Sequence, residues 1–247
     1  PLLGIKQIES LYRKMILIPD KNYSFSIISN GFLISPDIIK LFKEMKLQHI
    51  QITLDGLKET HNKIKVTKNE NDAFSRTIKN IDLLATSAPE IRISIRVNMN
   101  KENSSEFITL YSFILQRYKS NPLIGIYPAF ITSTSSKSSS SCSLLFNRQE
   151  KSEFIQQLYY DRGIVTNLCG YPDSSFTECS IRNKHTFTID PEGYLYKCWE
   201  IIGDQKYAIA KLDSEGTIQS IDQKILNRYL YAADPLEDKT CSKCPYL

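Results

Sequence analysis

The stretch His49-Ile50-Gln51-Ile52-Thr53-Leu54-Asp55-Gly56 decides the fold. It reads as a strand that ends abruptly at Asp-Gly, a turn signal. On its upstream side, Tyr23-Ser24-Phe25-Ser26-Ile27-Ile28 reads as another strand, rich in β-branched and aromatic residues, and closes at Ser29-Asn30-Gly31. Between the two lies a helix. Ser35 is its expected N-cap and Pro36 its first helical residue, with Ile38, Ile39, Leu41, Phe42 and Met45 at helical spacing. Downstream the alternation continues with a helix near 72–85, a strand over Ile91–Val97, a helix near 105–118 and a strand over Leu123–Tyr127. A helix near 8–17 precedes all of these, and the strand expected before it is not in the sequence.

Strands alternating with helices predict parallel strands joined by right-handed crossovers, as an open sheet or a barrel. In such folds ligands sit at the carboxyl ends of the strands. Three strand ends here carry polar turns: Ser29-Asn30-Gly31, Thr53-Leu54-Asp55-Gly56 and Asn98-Met99-Asn100. Any one alone reads as ordinary loop chemistry, because Asn, Asp and Gly populate turns. All three on one edge of a sheet make a candidate site.

At 247 residues the chain is long enough for one or two domains with a real core. Hydrophobic residues at 41% and charged residues at 23% exclude global disorder. No run of about 18 apolar residues occurs, which excludes a transmembrane helix and a membrane partner of that kind. The opening Pro1-Leu2-Leu3-Gly4-Ile5-Lys6 lacks the layout of a signal peptide and an initiator Met, so a cytoplasmic fragment or processed product is expected. The net charge of +4 is carried by no dense Lys/Arg run, so nucleic acid is not an expected partner.

All 6 cysteines lie in the second half: Cys142, Cys169, Cys179, Cys198, Cys241 and Cys244. Without an export signal, their clustering suits a metal or iron–sulfur site better than a disulfide framework. A β-hairpin is expected over Lys184–Cys198, turning at Asp190-Pro191-Glu192-Gly193, which returns Cys198 towards Cys179. Cys169 is a candidate third ligand, and Cys241-Ser242-Lys243-Cys244 has the spacing with which two thiolates grip one metal. Cys142, in the Ser/Thr-rich run over Ile131–Ser143, reads instead as a reduced, hydrophobe-like cysteine. That run places the expected domain boundary near residue 135, giving domains over 1–135 and 136–247. Beyond it, Asn147-Arg148-Gln149-Glu150 predicts a capping box opening a helix to about Tyr160, and a last helix is expected near 219–232.

Together these pieces resemble the radical S-adenosylmethionine (radical SAM) enzymes with a C-terminal SPASM domain. Cys179, Gly193 and Cys198 match the SPASM pattern of Cys, nine to fifteen residues, Gly, four residues, Cys, and Cys241–Cys244 resembles the start of its second cysteine group. Ser29-Asn30-Gly31 resembles the family's "TNG" element, and Gln51–Gly56 with His61 its "ISLDG…H" stretch. Ile95-Arg96-Val97-Asn98 resembles the following strand, and Pro1-Leu2-Leu3 the tail of "GGEPLL". The resemblance implies an α/β fold: a partial (β/α)6 barrel lacking its first strand, followed by a small α+β cysteine-rich domain. It implies [4Fe–4S] clusters and SAM as cofactors, a peptide or protein substrate, and an electron donor such as a flavodoxin or ferredoxin.

By the same resemblance Ser29, Asn30, Thr53, Asp55 and Asn98 would contact SAM, and Lys65 stands where the family often has an Arg for the SAM carboxylate. Lys lacks the bidentate fork of Arg, so that pairing would be looser. Cys169, Cys179, Cys198, Cys241 and Cys244 are the expected metal ligands, while no catalytic residue is assigned. His61 reads as structural or as a helix-start residue. The family's Cys-x3-Cys-x2-Cys loop is absent from the 247 residues, so the chain is expected to be cut at both ends and unable to cleave SAM alone. Anaerobic sulfatase maturases carry an Asp directly after the cysteine that aligns with Cys198. Here Trp199 and then Glu200 follow, which favours another peptide-modifying maturase over formylglycine formation. The alternatives are a sulfatase maturase, a non-catalytic peptide-binding module with structural zinc, and a plain α/β-barrel enzyme with reduced cysteines.

Overall fold

Ser35 starts the first crossover helix as the sequence predicts: the Ile38 amide donates to its hydroxyl, and Pro36 follows at the first helical position. In the computed structural model, residues 1–19, 22–66, 72–132, 142–165, 179–232, 237–239 and 241–243 are described. They run α1 (Ile5–Met15), β1 (Phe25–Ser29), α2 (Pro36–Glu44), β2 (Leu47–Leu54), α3 (Lys58–Ile64), α4 (Ala73–Ser87), β3 (Arg92–Met99), α5 (Phe107–Arg117), β4 (Ile124–Phe130) and α6 (Arg148–Arg162). Then follow β5 (Thr188–Ile189), β6 (Tyr194–Tyr196), β7 (Ala210–Leu212), β8 (Ile218–Ile221) and α7 (Gln223–Tyr231). Two compact units divide the chain, Pro1–Gly170 and Tyr171–Leu247.

In the first unit four parallel strands lie in chain order, β1-β2-β3-β4. Alternate strand residues face one core. Ile50, Ile52 and Leu54 of β2 and Ile93, Ile95 and Val97 of β3 share it with Phe42 of α2, Ile81 and Leu84 of α4, and Phe107, Leu110 and Ile114 of α5. The crossover helices therefore all cover one face of the sheet. That is what crossovers of constant hand give when strand order never reverses, whereas a doubly wound sheet reverses and is covered on both faces.

The other sheet face carries the residues between. Gln51, Thr53, Ser94, Arg96, Asn98 and Tyr127 are all partly exposed. Parallel sheets ordinarily bury both faces in apolar residues, so a polar face is a departure that needs a use. Across it the Tyr127 hydroxyl donates to Gln51 Oε1 at 2.6 Å, and His49 Nε2 lies 2.8 Å from Ser94 Oγ.

The unit boundary falls beyond the position near residue 135 that composition suggested, because α6 packs onto the parallel sheet's core. Leu158 is buried there, Phe154 meets Phe107 and Phe130 edge-on, and Lys101 pairs with Glu150 at 2.7 Å. Its capping box forms as read: Asn147 Oδ1 accepts from the Glu150 amide, and Glu150 Oε2 accepts from the Asn147 amide.

The second unit is a four-stranded antiparallel sheet, β5-β6-β7-β8, with the expected hairpin between β5 and β6. Asp190 Oδ1 accepts from the Glu192 and Tyr194 amides and so shapes the turn. The helix expected from 219 starts later. Ile218–Ile221 pairs with β7 instead, and Asp222 caps α7 through the Ile225 amide. Strand β7 and the short α3 carry too few residues to show a period in sequence.

Candidate functional site

Strands β2 and β3 end side by side, and Asn103 ties them together. Its Nδ2 donates to the backbone oxygens of Asp55 (2.6 Å) and Asn98 (2.9 Å), while its Oδ1 accepts from the Asn100 amide. All three links are satisfied within a side chain only 4% exposed. Gly56 follows Asp55 with φ +142°, a conformation that glycine alone adopts readily. A Cβ there would lie 2.5 Å from Glu106 Oε2. The missing side chain lets Glu106 reach across and accept the Leu57 amide (2.6 Å) and the Thr60 hydroxyl (2.5 Å), holding the first turn of α3.

Asp55 is the centre of what this frame presents. It is 4% exposed. Asn98 Nδ2 donates to its Oδ1 at 3.2 Å, and the Lys65 ammonium stands 3.2 Å from its Oδ2. That contact is a charge pair without hydrogen-bond alignment, since Oδ2 has no hydrogen-bond partner among the described residues. Arg96 Nε donates to Asn98 Oδ1 at 3.0 Å, extending the chain of contacts to Arg96–Asn98–Asp55–Lys65.

His61 lies against the same carboxylate, its Nδ1 3.8 Å from Asp55 Oδ2. It is nevertheless a neutral ring: Nδ1 accepts the Asp55 amide at 3.2 Å, so the proton sits on Nε2. Burial pushes its pKa down, and Lys65 adds to this against the opposing pull of Asp55. His61 thus holds the Asp55 backbone, the structural role expected of it.

The structure brings Asp55, Lys65 and Asn98 together. Thr53 sits one step down β2 on the polar face, and its side chain makes no hydrogen bond among the described residues. Ser29 and Asn30 are engaged in their own turn: Ser29 Oγ accepts from the Gly31 amide and Asn30 Oδ1 from the Phe32 amide. Gly31 (φ +73°) packs against Ile52 and Thr77, and Asn80 Nδ2 donates to the Gly31 and Phe32 oxygens. The sequence reading missed Asn103, Glu106 and Arg96. The first two lie in a polar connection that resembles any loop, and Arg96 was read only as part of a strand.

In the second unit, Cys179 is an exposed free thiol and Cys198 a half-buried one. Cys169 and Cys244 lie outside the described residues. Cys241 opens a short turn, Cys241–Lys243, and its side chain is outside them too. No cluster of three or more His, Cys, Asp or Glu forms among the described residues.

Next to Cys198, Lys197 is 1% exposed, and its ammonium donates to the Asn183 oxygen (2.5 Å) and the Thr186 oxygen (2.7 Å). It joins the stretch after β6 that bears Cys198 to the segment that follows Cys179, and burial lowers its pKa. Burial raises the pKa of Tyr229 on α7. Trp199 is 68% exposed and donates its indole N–H to Glu200. The Cys179 and Cys198 thiols have the donor chemistry that iron–sulfur clusters and zinc require.

No protein-family model matches the chain. Over 92 residues it is 33% identical to the cysteine-type anaerobic sulfatase-maturating enzyme of Clostridium novyi (strain NT), covering 37% of this chain and 24% of that enzyme. Over 95 residues it is 27% identical to the Fe-coproporphyrin III synthase of Methanosarcina barkeri (strain Fusaro / DSM 804), covering 38% of this chain and 23% of that protein. The chain thus spans about a quarter of the length of these curated relatives.

In fold it is similar to native anSMEcpe with bound AdoMet and the Cp18Cys peptide. The TM-score is 0.65 at 17% identity, over 100% of this chain and 70% of that one. These relatives and this fold fit the radical SAM, SPASM-type family that the motifs resemble. Among the described residues no helix is long and apolar enough to cross a membrane.

Proposed function

We propose that this chain is part of a radical SAM enzyme that binds S-adenosylmethionine at the carboxyl ends of β1–β3 and modifies a peptide or protein side chain. The observation that carries this reading is the Asp55 cluster: a nearly buried carboxylate with one unsatisfied oxygen, set between Asn98 and Lys65 at the rim of a polar sheet face. A ribose and an amino-acid end need donors and acceptors of this kind, and Ser29, Asn30 and Thr53 would add to them from the same rim.

The unit Pro1–Gly170 would be a segment of a (β/α)6 barrel, with the polar face as its interior. The second unit would be a SPASM-type domain whose Cys179, Cys198, Cys241 and Cys244, with Cys169 just before it in sequence, would hold auxiliary [4Fe–4S] clusters. A reduced [4Fe–4S] cluster, when bound, supplies the electron that cleaves SAM. A flavodoxin or ferredoxin in a cytoplasmic setting would be its source. The 247 residues hold no Cys-x3-Cys-x2-Cys, so this chain by itself would not perform the cleavage.

The test is equilibrium binding of SAM to the chain. Binding that is lost in Asp55→Ala supports the reading, and no binding by the unaltered chain rejects it. Production of 5′-deoxyadenosine by the reconstituted chain would reject the proposed inability to cleave SAM.

Formylglycine formation is the second reading, favoured by the similarity to the C. novyi enzyme. Trp199 weighs against it, because an indole cannot accept a proton where that activity would place one. Conversion of a sulfatase Cys peptide by the full-length enzyme would make it the first. Metal content separates both from a binding module: iron with sulfide supports the enzyme, and zinc alone the module.

A further inference from the structure

Lys65 occupies the place from which a cation would meet the SAM carboxylate, yet its ammonium is already 3.2 Å from Asp55 Oδ2. Arg96, at the other end of the same chain of contacts, is not committed in this way. Its Nε donates to Asn98 Oδ1, and its two terminal nitrogens have no partner among the described residues. It stands on the polar sheet face, opposite Thr53 on one side and Tyr127 on the other.

Space exists beside it. On β4 the residues flanking Tyr127 on that face are Gly125 and Ala129, and a Cβ added at Gly125 would meet nothing within 4 Å. A guanidinium fixed through Nε, with its two terminal nitrogens unpartnered among the described residues, has the planar fork that grips a carboxylate bidentately.

We infer that Arg96 is a ligand-binding residue that clamps the carboxylate of the amino-acid end of SAM, while Lys65 neutralises Asp55. The inference rests on the SAM reading above. It assigns the fork that Lys65 cannot supply to a residue two positions before Asn98. Asn98 then has two tasks: its Nδ2 holds Asp55, and its Oδ1 holds Arg96 at the angle that faces the ligand.

The test compares SAM with decarboxylated SAM, which keeps the sulfonium and amine and lacks only the carboxylate. Dissociation constants are measured by calorimetry for the unaltered chain, Arg96→Gln and Lys65→Met. The unaltered chain is expected to prefer SAM by about tenfold or more, the usual size of a charge-assisted pair. In Arg96→Gln the preference disappears because SAM binding weakens while decarboxylated SAM binds as before. Lys65→Met keeps the preference.

A preference that survives in Arg96→Gln and vanishes in Lys65→Met assigns the carboxylate to Lys65 and overturns the inference. Equal weakening of both ligands in Arg96→Gln reduces Arg96 to a structural residue and overturns it as well. Equal affinity of the unaltered chain for both ligands overturns the Arg96 role and leaves the SAM reading standing. Binding of neither ligand removes the SAM reading itself.

Discussion

His61 is a buried histidine whose ring must stay neutral to do its work, because Nδ1 accepts the Asp55 amide. Its pKa is lowered by burial, and that of His49 is lowered by burial and then by Arg92. A base whose folded pKa lies below its unfolded value, about 6.5, is protonated more readily in the unfolded chain. The unfolded state therefore takes up more protons on acidification. The stability contribution is whole above about pH 6.5 and declines as pH falls towards the folded values. NMR titration of the ring carbons is expected to put the His61 midpoint below 6.5, with the neutral Nε2–H tautomer above it. A midpoint at or above 6.5 would count against the Asp55 hydrogen bond. Gly56 makes a second prediction at this scale. Alanine there faces both the +142° φ and the 2.5 Å approach to Glu106, so Gly56→Ala should cost about 1–3 kcal/mol in chemical denaturation. A stability unchanged within error would mean that Glu106 does not hold the loop.

Elements are joined at the rim by side chains that no periodicity announces. Strands β1 to β4, helices α2, α4 and α5, the Ser35 cap and the Asn147 capping box are legible in sequence because each depends on local chemistry: β-branched runs, apolar spacing, a hydroxyl or amide three residues before an orphan amide. Asp55 and Asn98 are legible as polar strand ends. Their meeting is not, because it depends on the parallel register that sets Leu54 beside Val97 and on Asn103, which lies in a loop. Helix α3 and strand β7 were invisible for lack of length, and β8 was absorbed into the helix that follows it. Asn103→Ala would take this donor from the buried Asp55 oxygen and the part-buried Asn98 oxygen, and should cost about 2–4 kcal/mol. Asn147→Ala, which removes a solvent-side cap, should cost about 1 kcal/mol. A larger loss at Asn147 than at Asn103 in urea melts would reverse this ranking of rim clamp over helix cap.

The two units differ most in what holds them together. The parallel sheet and its helices share one extended apolar core, whereas the core of the antiparallel unit has Leu195, Ile209 and Ala210 as its buried members, with Ile225, Leu226 and Tyr229 packed partly against them. A core that small contributes little, and units of this size ordinarily lean on a disulfide or a metal. Cys179 and Cys198 are free thiols among the described residues, and a metal held by them is the support proposed for this unit. A ligand that binds only the folded unit adds RT ln(1 + [L]/Kd) to its stability. With zinc as the probe at 100 times its Kd, amides of 179–232 that exchange by opening of the whole unit should slow by roughly 100-fold. EDTA should return them to the metal-free rate, and amides of α4, β2 and β3 should not change. The double variant Cys179→Ser/Cys198→Ser should lose the effect while keeping the exchange pattern of the first unit. Equal exchange with and without zinc in the unaltered chain would show that these thiols do not support the smaller unit. The burden would then fall on the Lys197 staple, whose ammonium joins the two thiol-bearing segments through the Asn183 and Thr186 oxygens.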